Sequence, residues 1–333
     1  MSSLRRFLSF RLNRLATLMV GLFLVVAVAA PWLAPPDDPN NPSMFRYLSG
    51  RIDRTPKPPN EQALLGTVAQ IPRLPRFGIQ PGQQIAYQWD VYYTVIWGAR
   101  SALRFGLTVT LPTAAIGVFI GLISGYLGGW VNSLLMRLTD AFLAFPVIAA
   151  VWIFDRMWFA NIYSPWSATP DFVFTPWEQF LRRTELDPVS MAIVLFAWMP
   201  YARLVNTLVS RLKHEDYVMA AQALGAGRLR VIFRHVLPNA LAPVIVLAAR
   251  DVGGLVILAS AFTFIGIGGN VAWGIMLVAS KDYILGVGGN PLTYWWTFVP
   301  VSLALILFSV SWNLLGDGLN AFLNPRATRV TRR

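Results

Sequence analysis

The chain has 333 residues, of which 55% are hydrophobic and 13% are charged. Soluble domains carry about 25% charged residues, so this deficit predicts an integral membrane protein. The absence of cysteine excludes disulfides, zinc–thiolate sites and thiol catalysis. The net charge of +12 comes from basic residues that flank apolar runs, which is typical of a membrane protein and argues against nucleic-acid binding.

The first predicted membrane helix is the uncharged run 15–33, because a spanning helix needs about 20 mostly apolar residues. Four arginines precede it: Arg5, Arg6, Arg11 and Arg14. A cleaved signal peptide is the alternative, since the AVAA at 27–30 resembles a small-residue cleavage site. Pro31 and the later apolar runs favour a retained helix, so residues 1–34 are interpreted as a cytoplasmic N-terminus and the first span.

Residues 35–100 are predicted to face outward as an extended, irregular loop, because the segment is rich in proline. It contains several basic residues. A loop of this length can nevertheless override the charge rule that keeps short basic loops in the cytoplasm.

The second predicted span lies in the uncharged run 105–136. A glycine recurs there at every fourth position: Gly117, Gly121, Gly125 and Gly129. Such a ridge lets another helix approach closely. Close helix packing is favoured over the alternative, a flexible gating helix.

Four further spans are predicted at 134–154, 188–210, 238–262 and 293–316, which makes six in an all-α membrane protein. The arginines before the first span place the N-terminus in the cytoplasm, and an even number of spans returns the C-terminal tail 317–333, which is also rich in arginine, to the same side. Residues 101–316 form the predicted five-helix core. This core includes an outward insert at 155–187 and a cytoplasmic loop at 213–238.

Arg250 and Asp251 are expensive to place near the middle of a bilayer, and each needs its own partner because helical neighbours do not face each other. Ion pairs within the bundle are one interpretation, with Arg137, Asp140 and Arg203 as candidate partners. The other is that one of the two residues lines a path and contacts a charged substrate.

The loop at 213–238 shows two short amphipathic patterns around a glycine turn. In the first predicted helix Tyr217, Ala221 and Leu224 fall on one face, and Gly225 is expected to end it. In the second, four apolar residues share a face, and Pro238 is expected to stop the helix: Leu229, Ile232, Phe233 and Val236. Periodicity alone leaves two interpretations open, a helix lying on the anionic leaflet or a knob that docks into a partner's groove.

Sequence motifs for ATP binding and hydrolytic chemistry are missing. The chain has no G-x-x-x-x-G-K-[ST] phosphate loop, no H-E-x-x-H and no G-x-S-x-G. Its two histidines are too few for a histidine-based metal site. The glycine-rich segments at 266–270 and 286–290 are interpreted as turns at a membrane surface.

The stretch YVMAAQALGAGRLRVIFRHVLPN (217–239) resembles the cytoplasmic loop of ABC importer permeases, which reads E-A-A, three residues, G, nine residues, I-x-L-P. Further segments resemble the second (C-type) permease subunit of the dipeptide/oligopeptide/nickel family: WGARSALRFG (97–106), GYLGGWVNSLLMRLTDAFLAFP (125–146), WMPYARLVN (198–206), FTFIGIGG (262–269), WGIML (273–277) and NLLGDGLNAFLNPR (313–326).

This resemblance implies a type I importer permease fold, in the cytoplasmic membrane of a bacterium or archaeon. A second permease subunit would complete a heterodimer within the lipid, and an extracytoplasmic binding protein would deliver substrate. Two ATPase subunits would bind ATP and magnesium, so this chain would hold no cofactor, no metal and no catalytic residue. The coupling residues implied are Glu215, Asp216, Ala220, Ala221, Gly225, Arg228, Leu237 and Pro238.

Di- or oligopeptides are the implied substrates. The alternatives are another solute such as a nickel chelate or a sugar, or a secondary transporter or channel. The chain also departs from the family pattern. Met219 stands where the loop motif has glutamate, and the outer segment 66–91 has extra residues with Val68 and Trp89 at motif positions. These outer changes bear on substrate class more than on fold.

Overall fold

The computed structural model describes residues 7–8, 10–40, 42–48, 55–70, 87–158, 175–177, 179, 188–268, 271–285, 290 and 292–323. Several predicted features lie outside these residues: Arg5 and Arg6, most of the insert 155–187, parts of both glycine-rich segments and the arginines beyond residue 323.

The described residues are mostly helical. The elements are α1 (Arg11–Leu33), α2 (Val91–Leu127), α3 (Gly129–Ala144), α4 (Val147–Trp158), α5 (Pro188–Phe196), α6 (Met199–Leu212), α7 (Asp216–Ala223), α8 (Arg228–Val231), a π-helical segment (Ile232–Val236), α9 (Leu237–Phe264), α10 (Ala272–Leu285), a 3₁₀ turn (Trp295–Thr297) and α11 (Val299–Leu323). Five of these helical spans are long and apolar enough to cross a membrane, or six if the bent pair α3–α4 is one span. The predicted six-helix membrane fold is confirmed at this level.

The second span differs from its prediction, because α2 begins at Val91 rather than near residue 105. Asp90 caps it: one carboxylate oxygen accepts hydrogen bonds from the backbone N–H groups of Tyr92, at 2.9 Å, and Tyr93, at 3.3 Å. The helix has 37 residues. It is therefore about 55 Å long and exceeds a hydrocarbon core of about 30 Å. Part of the expected irregular outer segment is thus helix.

The third span, which was predicted at 134–154, is not one continuous helix. It is divided into α3 and α4, which meet at an angle of 86°. Phe145, between them, has an extended backbone with φ −80° and ψ 129°. Pro146 explains the break, because a proline disfavours helical geometry in the residue before it and supplies no N–H.

The outer segment also contains a small sheet that was not predicted. Three short antiparallel strands, β1 (Tyr47–Leu48), β2 (Thr67–Gln70) and β3 (Tyr87–Asp90), pair in the order β1-β3-β2. Trp89 of the central strand is buried and stacks on Phe45, with ring centroids 4.3 Å apart. The β-branched and aromatic residues of β2 and β3 favour strands despite the surrounding prolines.

Three glycines of the predicted ridge pack against α6. A β-carbon on Gly121 would lie 2.6 Å from the Ala202 carbonyl oxygen, and one on Gly125 would lie 2.8 Å from the Asn206 carbonyl oxygen. Gly117 is likewise in contact with the start of α6. The fourth glycine was assigned wrongly: Gly129 lies beyond the end of α2, with φ +53° and open space around it.

Replacing Gly121 by alanine tests this close approach. The new methyl group would meet backbone atoms that cannot move aside, so we expect a loss of about 1–3 kcal/mol in stability and a lower Tm for the purified protein. The matched control is Gly254→Ala, because a β-carbon there has nothing within 4 Å. Equal Tm values for the two variants would contradict the packing.

Candidate functional site

The candidate site is the loop between α6 and α9. We call the end of the helix bundle that carries this loop the loop end, and the opposite end, which carries the three strands, the sheet end. The first helix of the loop, α7, follows Glu215, whose backbone is extended, and has Asp216 in its first turn. The acidic residue suits the positive end of the helix dipole.

Gly225 ends α7 in the way that the sequence predicted. Its φ of +83° is in the left-handed region that favours glycine. The N–H of Gly225 donates to the Gln222 carbonyl at 2.9 Å, and the N–H of Ala226 donates to the Ala221 carbonyl at 3.0 Å. These two bonds form a Schellman motif, which reverses the chain direction sharply.

Pro238 does not stop the second helix, contrary to the prediction. The chain is helical from Arg228 through Phe264, and the segment Ile232–Val236 within it is π-helical. The Leu237 N–H donates to the Ile232 carbonyl, five residues back. This wider winding accommodates Pro238, which has no N–H and would crowd the preceding turn of an ordinary α-helix.

The buried face of the loop also differs from the predicted one. Val218, Val231 and Val236 are fully buried and pack in one cluster with Tyr201, Val205 and Val209 of α6. Of the predicted face residues, only Val236 is buried in this way. Leu224 is 89% exposed, Leu229 71% and Phe233 62%.

The loop therefore exposes a set of large apolar side chains, which we call the loop surface: Tyr217, Met219, Leu224, Leu229 and Phe233. Three arginines between and beside them are exposed as well: Arg228, Arg230 and Arg234. Ala220 and Pro238 are exposed, whereas Ala221 and Leu237 are half-buried. Exposed apolar groups with a polar rim are typical of surfaces that bind another protein or a membrane.

Side chains at the loop end fasten α2, α3 and α6 together where the loop begins. The Lys213 ammonium donates to the Gly125 carbonyl at 3.0 Å, near the C-terminal end of α2. A cation there interacts favourably with the helix dipole. The Asn206 amide donates to the Ser124 hydroxyl at 2.8 Å and to the Asn132 side-chain oxygen at 2.6 Å. The loop thus starts from a well-anchored position.

The two charged residues in α9 have partners other than those predicted. Arg250 forms an ion pair with Asp317 of α11, and the two side chains are 43% and 61% exposed. Asp251 accepts a hydrogen bond from the Tyr201 hydroxyl at 2.6 Å. Two of the expected partners, Arg203 and Asp140, pair with each other instead. Successive helical residues point about 100° apart, so Arg250 and Asp251 face different neighbouring helices.

Within the described part of the chain, no three histidine or acidic side chains come together as a candidate metal site.

Comparison with known proteins identifies the family to which the chain belongs. The family described as "binding-protein-dependent transport system inner membrane component" matches residues 117–329. A dipeptide transport system permease of Alkalihalophilus pseudofirmus is 31% identical over 238 residues, which is 71% of this chain and 69% of the relative. A glutathione transport system permease of Pectobacterium atrosepticum is 28% identical over 97% of this chain and 89% of the relative.

An oligopeptide transport system permease of Bacillus subtilis is 27% identical over 96% of this chain and 88% of the relative. The matched region includes the loop, α9 and most of the membrane bundle. The chain therefore belongs to the family of binding-protein-dependent transport system inner membrane components, the non-catalytic permease subunits of ABC importers.

Proposed function

We propose that this chain is the permease subunit of an ABC importer for peptides, and that it forms half of the translocation path together with a second permease subunit. Relatives named for dipeptide, oligopeptide and glutathione transport support a peptide substrate. ATP and magnesium are bound by two ATPase partners. An extracytoplasmic binding protein delivers substrate at the sheet end.

The loop end faces the cytoplasm in this proposal, and so do both termini. Phe7, close to the N-terminus, packs edge-on against Phe322 near the end of α11, so both described ends lie together. Basic residues gather at the same end of the bundle: Arg11, Arg14, Arg211, Lys213, Arg228, Arg230 and Arg234. Positive charge on one side of a multi-span protein favours retention of that side in the cytoplasm.

The loop surface is the observation that carries the coupling role. Leu224 stands at the tip of α7, beside the reversal at Gly225, with small residues on either side. These small residues let a partner surface approach closely, which favours an ATPase groove over the lipid leaflet. Glu215, Asp216, Ala220, Ala221, Arg228, Leu237 and Pro238 complete the proposed contact region or its support.

The Arg250–Asp317 pair is the proposed charged element of the path. Both side chains remain about half exposed in this subunit, so they are available to a solute or to the second permease subunit. Charged groups at membrane depth face a bundle interior or a water-filled cavity and mark the paths of charged solutes. Peptides carry charged termini that such a pair can recognise. Asp251, engaged by Tyr201, is the second candidate.

Replacing Leu224 by aspartate tests docking. Loss of an apolar contact and burial of a charge should weaken binding of the ATPase subunits at least tenfold, measured by co-purification and titration. The matched control is Leu64→Asp, because Leu64 is 62% exposed near the sheet end. Unchanged ATPase binding by the Leu224 variant would overturn the proposed contact.

Replacing Gly225 by valine tests the turn geometry. A left-handed backbone costs a β-branched residue about 1–2 kcal/mol, so α7 should shift and more ATP should be hydrolysed per substrate transported. Gly227→Val is the control: its φ is −63°, and a β-carbon at either glycine meets open space. Equal coupling in both variants would refute a role for the turn.

Replacing Arg250 by leucine tests the path. We expect transport to fall about tenfold while assembly and basal ATP hydrolysis persist, because a charged contact with the substrate is lost. The double variant Arg250→Asp with Asp317→Arg keeps an ion pair in reversed order. If this reversal restores transport, the pair has a structural role and the proposed substrate contact is wrong.

A further inference from the structure

Asn239 lies in the first turn of α9, where the loop between α6 and α9 ends, and its side-chain amide makes two hydrogen bonds. It donates to the His235 carbonyl at 2.7 Å, inside the π-helical segment, and to the Tyr217 hydroxyl at 3.2 Å, on α7. An amide nitrogen has two hydrogens, so both bonds can form together. One side chain therefore joins α7 to the first turn of α9.

The remaining attachment of α7 to the bundle is slight. Val218 is its single buried residue, and it packs in a cluster that includes Val231 and Val236. An ion pair between Arg211 and Glu215, at 3.8 Å, lies just before α7 and is mostly exposed. Apolar contact holds a helix near a surface without fixing its direction, whereas a hydrogen bond is directional.

The π-helical segment Ile232–Val236, which we call the π-helical joint, has unusual backbone geometry. π-helical turns are rare and occur frequently at functional sites, and this one lies between α8 and α9. Pro238 follows at once, so the ordinary α-helical bond from residue 238 cannot form there. The π-helical winding and Pro238 therefore set the backbone geometry here, next to the His235 carbonyl that accepts a hydrogen bond from Asn239.

We propose that Asn239 is a positioning residue that fastens Tyr217 to the π-helical joint, so that displacement of α7 turns α9 together with it. This inference rests on the proposed ATPase-coupling function of the loop and names the contact through which the motion leaves the loop. α9 packs along α11 and α2 and carries Arg250 and Asp251. Movement at residue 239 thus reaches the charged groups of the proposed path through one continuous helix.

The test uses the complete transporter, reconstituted in lipid vesicles with its binding protein and a dipeptide. The measured quantity is dipeptide imported per ATP hydrolysed. Asn239→Leu keeps the side-chain size but removes both donors, and it should lower this ratio about fivefold. Tyr217→Phe removes only the hydroxyl and should lower the ratio in the same direction, about twofold or more. Asn239→Gln keeps an amide donor and should retain at least half of the wild-type ratio.

The matched control is Asn313→Leu. Asn313 donates to the Ser309 carbonyl at 3.0 Å, also four residues back along a membrane helix, and its hydrogen bonds to the Ser309 carbonyl and hydroxyl both stay within α11. This variant should keep the wild-type ratio. Equal ratios for wild type, Asn239→Leu and Tyr217→Phe, in complexes that assemble normally, would overturn the inference.

The two levels of the proposal fail separately. If Leu224→Asp leaves ATPase binding intact, the loop is not the docking site, and the proposed coupling function fails with the inference. If Leu224→Asp abolishes binding but Asn239→Leu and Tyr217→Phe keep the wild-type ratio, only the role of Asn239 is wrong.

Discussion

The close approach of α2 to α6 is the constraint on which the rest of the structure depends. Three glycines of α2 let the backbone of α6 lie against it, where any side chain would collide with carbonyl oxygens or Cβ atoms. Small residues at such contacts provide dense packing in a medium that gives helices no hydrophobic reason to associate. The position of α6 follows from this contact, and with it the point at which the loop between α6 and α9 leaves the bundle.

Polar groups add direction to this apolar packing. The bonds from Lys213 to Gly125, and from Asn206 to Ser124 and Asn132, fix the ends of three helices at one place. Neutral and charged donors thus satisfy a backbone, a hydroxyl and an amide oxygen that would otherwise lack these hydrogen bonds. The loop therefore has a rigid base, while its own surface keeps several large apolar side chains exposed.

The sequence was sufficient for features that depend on local rules. Hydropathy located the apolar part of each span but not its ends or bends, and Gly225 identified the end of α7, because a left-handed turn after a helix favours glycine. Features set by distant contacts were not predictable. Nothing near Arg250 indicates Asp317, and the faces of short helices at the loop depend on where α6 lies.

Pro238 shows how a sound local rule can be overridden. Proline ends many helices because it lacks an N–H and crowds the preceding turn. Here one π-helical turn makes room for Pro238, and the helix continues as α9 to Phe264. The outer sheet was missed for a related reason. The outer segment is rich in proline overall, which predicts irregular structure, whereas the two short stretches that form β2 and β3 contain strand-forming residues.

The length of α2 has a mechanical consequence. It is one continuous helix, with Pro112 inside it, from its cap at Asp90, beside the sheet, to Leu127, beside the anchored base of the loop. Over a helix of about 55 Å, each degree of rigid tilt displaces the far end by about 1 Å. Under the proposed coupling function, a tilt of α2 at the loop end therefore displaces the sheet end by a distance that grows with the length of the helix.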